Sequence, residues 1–213
     1  MIALTWLQLS TLTQAHEFRG IRIRAGEKLM YKELNKSPNI RFPVKVDIGM
    51  PAQKVNLIIQ VILGGVDVAN DHPSQRVQYG IDQGLIFQHI HRLVRCIIDC
   101  QAFKSDAVGI RNALFLSRSF AAKAWDDSPL VLQQVDKVGP VLARKLIAVD
   151  INSIETLGQT DPGRVQHIAG RNPPFGHVMV SKAKIFPKLR VGIKMCGQPA
   201  SLVRPRLTYD KQC

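Results

Sequence analysis

Apolar residues return at helical spacing along most of the 213-residue chain. The pattern is strongest over 81–101, where it predicts a long amphipathic helix. We expect this helix to be central to a bundle, with Ile90, Leu93 and Ile97 buried. The complete stripe predicted to face inward consists of Ile81, Leu85, Phe87, Ile90, Leu93, Val94, Ile97 and Ile98.

Further helices are predicted on both sides of this one. A helix at the start of the chain would place Ile2, Trp6, Leu9 and Leu12 on one face. A partner helix over 106–125 should turn inward Ile110, Leu114, Phe120, Ala121 and Trp125. The remaining predicted helices are 27–35, 51–63, 130–134, 140–148, 152–157, 162–169 and 175–186, and the stretches 37–51 and 67–80 are predicted loops.

The period changes near the end of the chain. Leu189, Val191 and Ile193 alternate with more polar positions, which predicts a strand. The fold class is therefore mainly α. We expect a helical bundle over 1–127, a helix-hairpin-helix with following short helices over 128–187, and a strand with a tail over 188–213.

The charge balance is strongly basic. Twenty-nine Lys and Arg against sixteen Asp and Glu give a net charge of +13, which favours a polyanionic partner such as nucleic acid. No acidic residue occurs from Pro162 to Tyr209, so a groove for a polyanion is predicted there together with a second basic stretch near the start of the chain. The alternative is that these side chains point to unrelated faces. The basic residues of the opening stretch are Arg19, Arg22, Arg24, Lys28, Lys32 and Lys36.

The segment 130–157 has the layout of a helix-hairpin-helix. A short apolar helix leads into the turn Asp136–Gly139, and Pro140 opens a second helix. The glycine would let the backbone approach a phosphate, and the first amides of the second helix would point at the anion. A helical hairpin that only packs against its neighbours is the alternative. Together with the acid-free stretch, this predicts a nucleic-acid-binding set of Lys137, Gly139, Arg144, Lys145, Arg164, Arg171, Lys182 and Lys184.

Catalytic and metal-binding patterns are not found. The sequence has no G-x-x-x-x-G-K-[ST] loop, no G-x-S-x-G elbow and no H-E-x-x-H pair, so we predict no catalytic residue and no cofactor in this chain. Cys96 and Cys100 lie in an apolar helical pattern and are interpreted as small hydrophobic residues. The cysteines and histidines lack zinc spacing, and no apolar run is long enough to cross a membrane.

Four segments resemble a known family. They are AHEFRGIRIRAGEKLMYKELNK at 15–36, LVRCIID in the long helix, LVLQQVDKVGPVLARKL around the hairpin, and TDPGRVQHIAGRNPPFG at 160–176. Together they resemble the Sec-sixty-three-type domain of the meiotic crossover helicases, the Mer/Hfm-type branch of the superfamily-two helicases. Two patterns are specific in combination: E-F-x-x-I-R-x-R-x-x-E-K and G-R-N-P-P-F-G.

The resemblance implies a helical bundle, a helix-hairpin-helix and then an immunoglobulin-like β-sandwich, of which only the first strand would be present. Such a domain lies beside the helicase motor and guides single-stranded or branched DNA in the nucleus during meiotic recombination. ATP and magnesium would belong to motor domains outside this chain. The family hairpin usually has a glycine at the place that Asp136 holds here, and a carboxylate there would repel phosphate.

Three other functions remain open at this stage. The same domain occurs in spliceosomal RNA helicases and in a translocon subunit of the endoplasmic reticulum, where it binds proteins. The strong basic charge and the lack of a predicted membrane span favour the helicase over the translocon subunit. From a different class, the chain would be a protein-interaction module in which the bundle and the hairpin only brace other proteins.

Overall fold

The structure is a computed structural model that describes residues 2–44, 48–68 and 73–187. Within these ranges the regular structure is helical and no strand occurs. The predicted strand at 189–193 and the predicted sandwich lie outside the described residues. The α-helices are α1 (Ile2–Thr13), α2 (Glu27–Asn35), α3 (Pro51–Leu63), α4 (Pro73–Phe103), α5 (Ala107–Ala122), α6 (Pro140–Ile147), α7 (Ile154–Gln159), α8 (Pro162–Ala169) and α9 (Phe175–Lys184).

The chain forms two compact units, Met1–Ser153 and Ile154–Cys213. The first unit contains α1 to α6, and the second contains α7 to α9. The hairpin predicted at 136–139 therefore belongs to the first unit, together with the helical bundle. No helix of the described part combines the length and the apolar character that crossing a membrane requires.

Helix α3 is the most enclosed element of the first unit. Every residue from Lys54 to Val61 is buried, and α3 contacts α1, α2 and α4. Helix α4, by contrast, contacts α5, α3 and α1 on its inward side and leaves its other side exposed. The bundle is therefore arranged around α3 rather than around the longer α4.

The structure confirms that 81–101 is helical. The predicted start of the helix was wrong, and some residues predicted to face the core face solvent instead. The helix begins at Pro73, so most of the loop predicted over 67–80 is helical. Ile90 is fully buried, and Leu93 and Ile97 are partly buried against the core. Ile81 and Leu85, predicted to face inward, are 51% and 44% exposed. The inward face of this half of the helix carries Tyr79, Asp82 and Ile86 instead.

The α5 prediction needs a similar correction. Asp106 accepts a hydrogen bond from the Gly109 amide at 2.9 Å and caps the helix, so α5 begins one residue later than predicted. Phe120 and Trp125 are buried as expected, but Leu114 and Ala121 are exposed. Their inward places are taken by Ala113 and Leu116.

A cluster of buried charges joins α2, α3 and α4, and we call it the buried ionic cluster. Lys54 is fully buried, and its Nζ lies 2.6 Å from Glu27 Oε2 and 2.8 Å from Asp82 Oδ2. The same Nζ donates to the Arg22 carbonyl at 3.0 Å. Arg24 approaches Asp82 at 3.2 Å from the surface. Charges buried in this way are tolerated only when they are paired and hydrogen-bonded.

Two buried tyrosines adjoin this cluster. The Lys54 ammonium lies 5.4 Å from the centre of the Tyr31 ring, a cation–π distance. Burial raises the pKa of the Tyr31 and Tyr79 hydroxyls well above the usual value for tyrosine. Both phenols are therefore neutral at physiological pH and add no negative charge to the cluster.

The second unit is held together by close packing of short helices. Helix α9 contacts both α7 and α8, with Leu157, Val165 and Met179 fully buried. A Cβ atom at Gly176 would lie 1.9 Å from the Pro162 carbonyl oxygen, so only glycine fits this contact. The predicted boundaries of α8 are confirmed.

The α8 boundaries follow from local capping. Asp161 accepts from the Arg164 amide at 2.9 Å, which satisfies a backbone donor at the start of the helix. Gly170 ends the helix at φ 61°, a left-handed conformation that glycine adopts without strain. Much of the string that carried the resemblance is therefore explained by caps and packing.

The revised phase of α4 makes a first prediction. Ile90→Ala should lower the free energy of unfolding by about 2–5 kcal/mol, because Ile90 is fully buried. Ile81→Ala on the exposed side of the same helix should cost less than about 0.5 kcal/mol. Urea titrations of both variants measure the difference. Equal losses in the two variants would contradict this assignment of the faces.

Candidate nucleic-acid interface

The predicted hairpin is present as a 3₁₀ helix, a tight turn and α6. The 3₁₀ helix spans Pro129–Gln134 and packs against α6. Leu132, Val135 and Val138 are buried beneath the turn, whereas Asp136, Lys137 and Gly139 are exposed. The apolar residues thus anchor the hairpin to the bundle and leave the top of the turn accessible to a ligand.

The strained residue of the turn is Lys137. Its φ of 68° lies in the left-handed region, which costs a residue with a side chain roughly 1–2 kcal/mol. The position where glycine relieves strain is therefore 137 rather than 136. Gly139 has an ordinary φ of −81°. A Cβ atom there would meet nothing within 4 Å, which leaves open space beside this part of the backbone.

Helix α6 begins at an exposed end. Gly139 is its N-cap residue and provides no side chain for capping, and Pro140 is the first helical residue. The N–H groups of the first turn have no acceptor within the helix, and they carry the positive end of the helix dipole. An exposed end of this kind can accept a phosphate oxygen.

The two basic residues of α6 differ in their surroundings. Arg144 leans back to the first turn, with Nε 3.4 Å from the Pro140 carbonyl oxygen. Its Nη1 pairs with Asp67 Oδ2 at 2.9 Å. Sequence reasoning missed this contact, because no local pattern relates residues 77 positions apart. Lys145 is exposed, but it lies about 100° further around the helix.

The structure places Lys137 and Gly139 at the start of α6, and Arg144, in the last turn of this short helix, reaches back towards Pro140. The exposed ion pair between Arg144 and Asp67 contributes little stability, typically below about 1 kcal/mol. A phosphate would offer the guanidinium a more strongly charged partner. The arrangement is suited to one or two neighbouring phosphates.

The predicted basic residues of the second unit are spread over three places. Arg164 is in the first turn of α8, Arg171 follows the end of α8, and Lys182 and Lys184 are in the last turn of α9. Arg164, Arg171 and Lys184 are exposed, and Lys182 is half-buried. Lys182 and Lys184 are two positions apart on a helix, so they do not face the same side. The Lys184 stem passes Gly158 of α7, with Cγ 3.5 Å from the position of a Cβ there.

In the basic stretch near the start of the chain, Arg24 and the lysines differ in their surroundings. Arg24 contacts the carboxylates of the buried ionic cluster and so contributes to folding. Lys28, Lys32 and Lys36 are exposed and recur at four-residue spacing, which places them along one side of α2. This side of α2 remains a candidate surface for a polyanion.

The cysteines lie in a different environment from the one predicted. Cys96 and Cys100 are both exposed on α4 rather than packed as small hydrophobic residues. In the described part of the chain, no group of three or more His, Cys, Asp and Glu side chains has an arrangement that would hold a metal ion.

The turn makes a second prediction, in which charge and backbone strain can be separated. Lys137→Gly should raise the free energy of unfolding by up to about 1 kcal/mol, because it relieves the left-handed conformation. It should also weaken DNA binding by removing a cation. Asp136→Gly should strengthen DNA binding by removing a negative charge, without that gain in stability. Denaturation and binding titrations of both variants test this. A stability gain at 136 instead of 137 would contradict the turn geometry.

The described part of the chain belongs to the class of mainly helical domains in which a bundle is followed by a hairpin and a set of short helices. Comparison with known proteins identifies the family. Residues 7–210 match the Sec63 Brl domain, and the chain belongs to that family. The resemblance stated from the sequence is thereby confirmed.

The similar proteins are DNA helicases by name. The chain is 30% identical over 195 residues to ATP-dependent DNA helicase MER3 of Saccharomyces cerevisiae. The aligned region covers 88% of this chain and 16% of that protein. It is 30% identical over 182 residues to the probable ATP-dependent DNA helicase HFM1 of Homo sapiens, and this alignment covers 84% of this chain and 12% of that protein. For the MER3 homologue of Arabidopsis thaliana the identity is 26% over 191 residues, covering 87% and 17%. The chain thus spans less than one fifth of the length of these relatives.

Proposed function

We propose that this chain is an accessory domain of a nuclear DNA helicase, and that it binds single-stranded or branched DNA beside the ATPase motor during meiotic recombination. ATP and magnesium belong to that motor, so the chain alone should not hydrolyse ATP. The family and the names of the relatives support the helicase context. They also favour DNA over the RNA of the spliceosomal helicases.

The exposed end of α6 is the observation that carries the DNA-binding part of the proposal. The turn has Val135 and Val138 buried beneath it and exposes Lys137 and the open backbone at Gly139, and Arg144 reaches back towards the start of α6. Contacts of this kind recognise phosphates and position a strand without reading its bases. The acid-free stretch from Pro162 to Pro187 and the lysines of α2 are further candidates for phosphate contacts.

A salt series tests this proposal. Binding of fluorescently labelled single strands of different sequence is measured by anisotropy as the salt concentration rises. We expect similar affinities for all sequences and a linear fall of log K with log salt, with a slope of roughly −0.7 for each phosphate neutralised. Strong binding that is insensitive to salt, or no binding at low salt, would contradict the proposal.

A second candidate function is a protein-interaction module. Val77, Ile81 and Leu85 form an exposed apolar stripe at four-residue spacing on α4. Such stripes mark surfaces that contact other proteins, and the occupant that fits best is the motor part of the same polypeptide. This role is compatible with DNA binding at α6, but as the only function it predicts weak, salt-insensitive DNA binding.

A further inference from the structure

A pocket of about 810 Å³ opens in the first unit between α1, the segment 41–44 and the start of α3. Volumes of this size are typical of ligand sites, in which apolar walls enclose a few polar groups. Its walls include the side chains of Trp6, Phe42, Pro43 and Met50. None of the residues of the predicted nucleic-acid-binding set lines it.

An aromatic pair forms one wall of the pocket. The Trp6 and Phe42 rings are 5.5 Å apart between centroids, and Phe42 in turn contacts the edge of the buried Trp125 at 6.0 Å. Trp6 is the outer member of this series and is 37% exposed. A tryptophan fixed by a second ring and open on one side is a platform on which a flat ring can stack.

Two amide side chains of α3, those of Gln53 and Asn56, line the same pocket. Gln53 Oε1 accepts from the Gly49 and Met50 amides at 2.8 and 3.0 Å, and Asn56 Oδ1 accepts from Gln60 at 2.6 Å. Both oxygens already accept hydrogen bonds from the protein, so the NH₂ groups are the donors that these amides can offer a ligand. The complementary groups on a ligand are carbonyl oxygens.

One cationic side chain lies at the margin of the pocket. Arg41 is the one charged residue among the described lining residues, and no carboxylate lines the pocket there. Its guanidinium lies 4.5 Å from the Trp125 ring centre and pairs with Asp127. The pocket therefore combines a stacking surface, two NH₂ donors and a cation held at its margin.

We infer that this pocket receives an unstacked nucleobase of the bound single strand. This inference rests on the proposed DNA-binding function. The base stacks on Trp6, its carbonyl oxygen faces the Gln53 and Asn56 amides, and its phosphate lies beside Arg41. A keto base such as thymine fits two donors better than adenine, whose corresponding edge group is itself a donor. Stacking on aromatic side chains accommodates single strands without strict sequence readout.

Tryptophan fluorescence tests the inference directly. The chain has two tryptophans, so Trp125→Phe leaves Trp6 as the sole emitter. This variant is titrated at low salt with oligothymidylate and with an abasic strand of the same number of phosphates, both labelled for anisotropy. We expect both strands to bind but only oligothymidylate to quench Trp6. If Trp125→Phe does not fold, the wild type and Trp6→Phe are titrated in parallel, and the quenching that is lost in Trp6→Phe reports on Trp6.

Substitutions at Trp6 supply the second measurement. Trp6→Leu should weaken oligothymidylate binding about tenfold, as expected for the loss of one base–aromatic stack, and should leave abasic binding unchanged. Trp6→Phe should retain most of the affinity. Leu7→Ala, at an exposed neighbour on α1 that does not line the pocket, is the matched control.

The outcomes separate this inference from the function on which it rests. Binding of both strands with unchanged Trp6 emission overturns the nucleobase site, leaves the DNA-binding function intact and makes an apolar protein segment the next occupant to test. If neither strand binds, both the nucleobase site and the DNA-binding function are overturned. Equal quenching by the abasic strand also overturns the base site, because it reports a general change in the protein rather than stacking.

Discussion

Lys54→Met should lower the free energy of unfolding by about 3–5 kcal/mol, the range for breaking a buried ion pair by removing one partner. Lys54 is fully enclosed, and its ammonium is the closest cation to both Glu27 and Asp82. Methionine preserves much of the length of the side chain but leaves two buried carboxylates facing each other. Arg24 can compensate only in part, because it reaches the carboxylates from the surface at 3.2 and 3.5 Å.

The cause of this loss can be identified by further substitutions. Adding Glu27→Gln and Asp82→Asn to Lys54→Met should recover part of the stability, since these changes remove the unpaired charges while keeping the shapes. Lys104→Met, at an exposed position just after α4, should change stability by less than about 0.5 kcal/mol. Urea denaturation measures all three proteins. A loss below about 1 kcal/mol for Lys54→Met would mean that the ammonium reaches water in the folded state.

The helix boundaries were predictable wherever the signal was local. The boundaries predicted for α2, α3 and α8 coincide with those observed. Helix α3 begins with Pro51 and ends before Gly64, and α8 lies between the Asp161 cap and Gly170. These residues act through the backbone of their own turn, so no distant contact was needed to place them.

The inward face of α4 was less predictable because a charge is buried on it. Helical periodicity predicts that Asp82 faces solvent and that Ile81 and Leu85 face the core. The reverse is observed, because Lys54 supplies a buried partner for Asp82. The two residues are far apart in sequence and lie on different helices, so periodicity within either helix carries no sign of the pairing.

The strings that carry the resemblance mostly encode the fold. In the first, Phe18 and Ile21 are buried and Glu27 belongs to the buried ionic cluster. In the second, Gly176 permits a contact with Pro162 that a Cβ would block. Membership of the family therefore follows largely from residues that pack, whereas the proposed DNA binding depends on exposed side chains, of which these two strings contain Lys28 and Arg171 but no residue of the hairpin. The two conclusions need separate experiments.

The candidate site was predictable only in part, for a related reason. The turn and the first residue of α6 followed from Gly139 and Pro140, which are local signals. The left-handed conformation fell on Lys137, and Arg144 found a distant partner in Asp67. Both features depend on how the bundle holds the hairpin, and neither can be derived from the segment itself.

Reversing the charge of Lys137, Arg144 and Lys145 together should flatten the salt dependence of single-strand binding by about two units of slope. Each phosphate contact contributes roughly 0.7 to the slope for a single strand, and the variant reverses the three exposed cations of the turn and α6. Anisotropy titrations over a salt series measure the slope, and circular dichroism confirms that the helices are retained.

A charge-matched control separates the position of the cations from the net charge of the protein. Reversal of Arg95, Lys104 and Arg111, three exposed residues outside the hairpin, changes the net charge by the same amount. We expect this control to lower the affinity for DNA slightly, because the electrostatic field of the whole protein becomes less positive. The slope of log K against log salt should remain nearly unchanged. Equal flattening by both triple variants would point to a general charge effect. An unchanged slope in the hairpin variant, with the fold intact, would exclude the hairpin from the DNA-binding site and leave the α2 lysines and the second unit as the candidates.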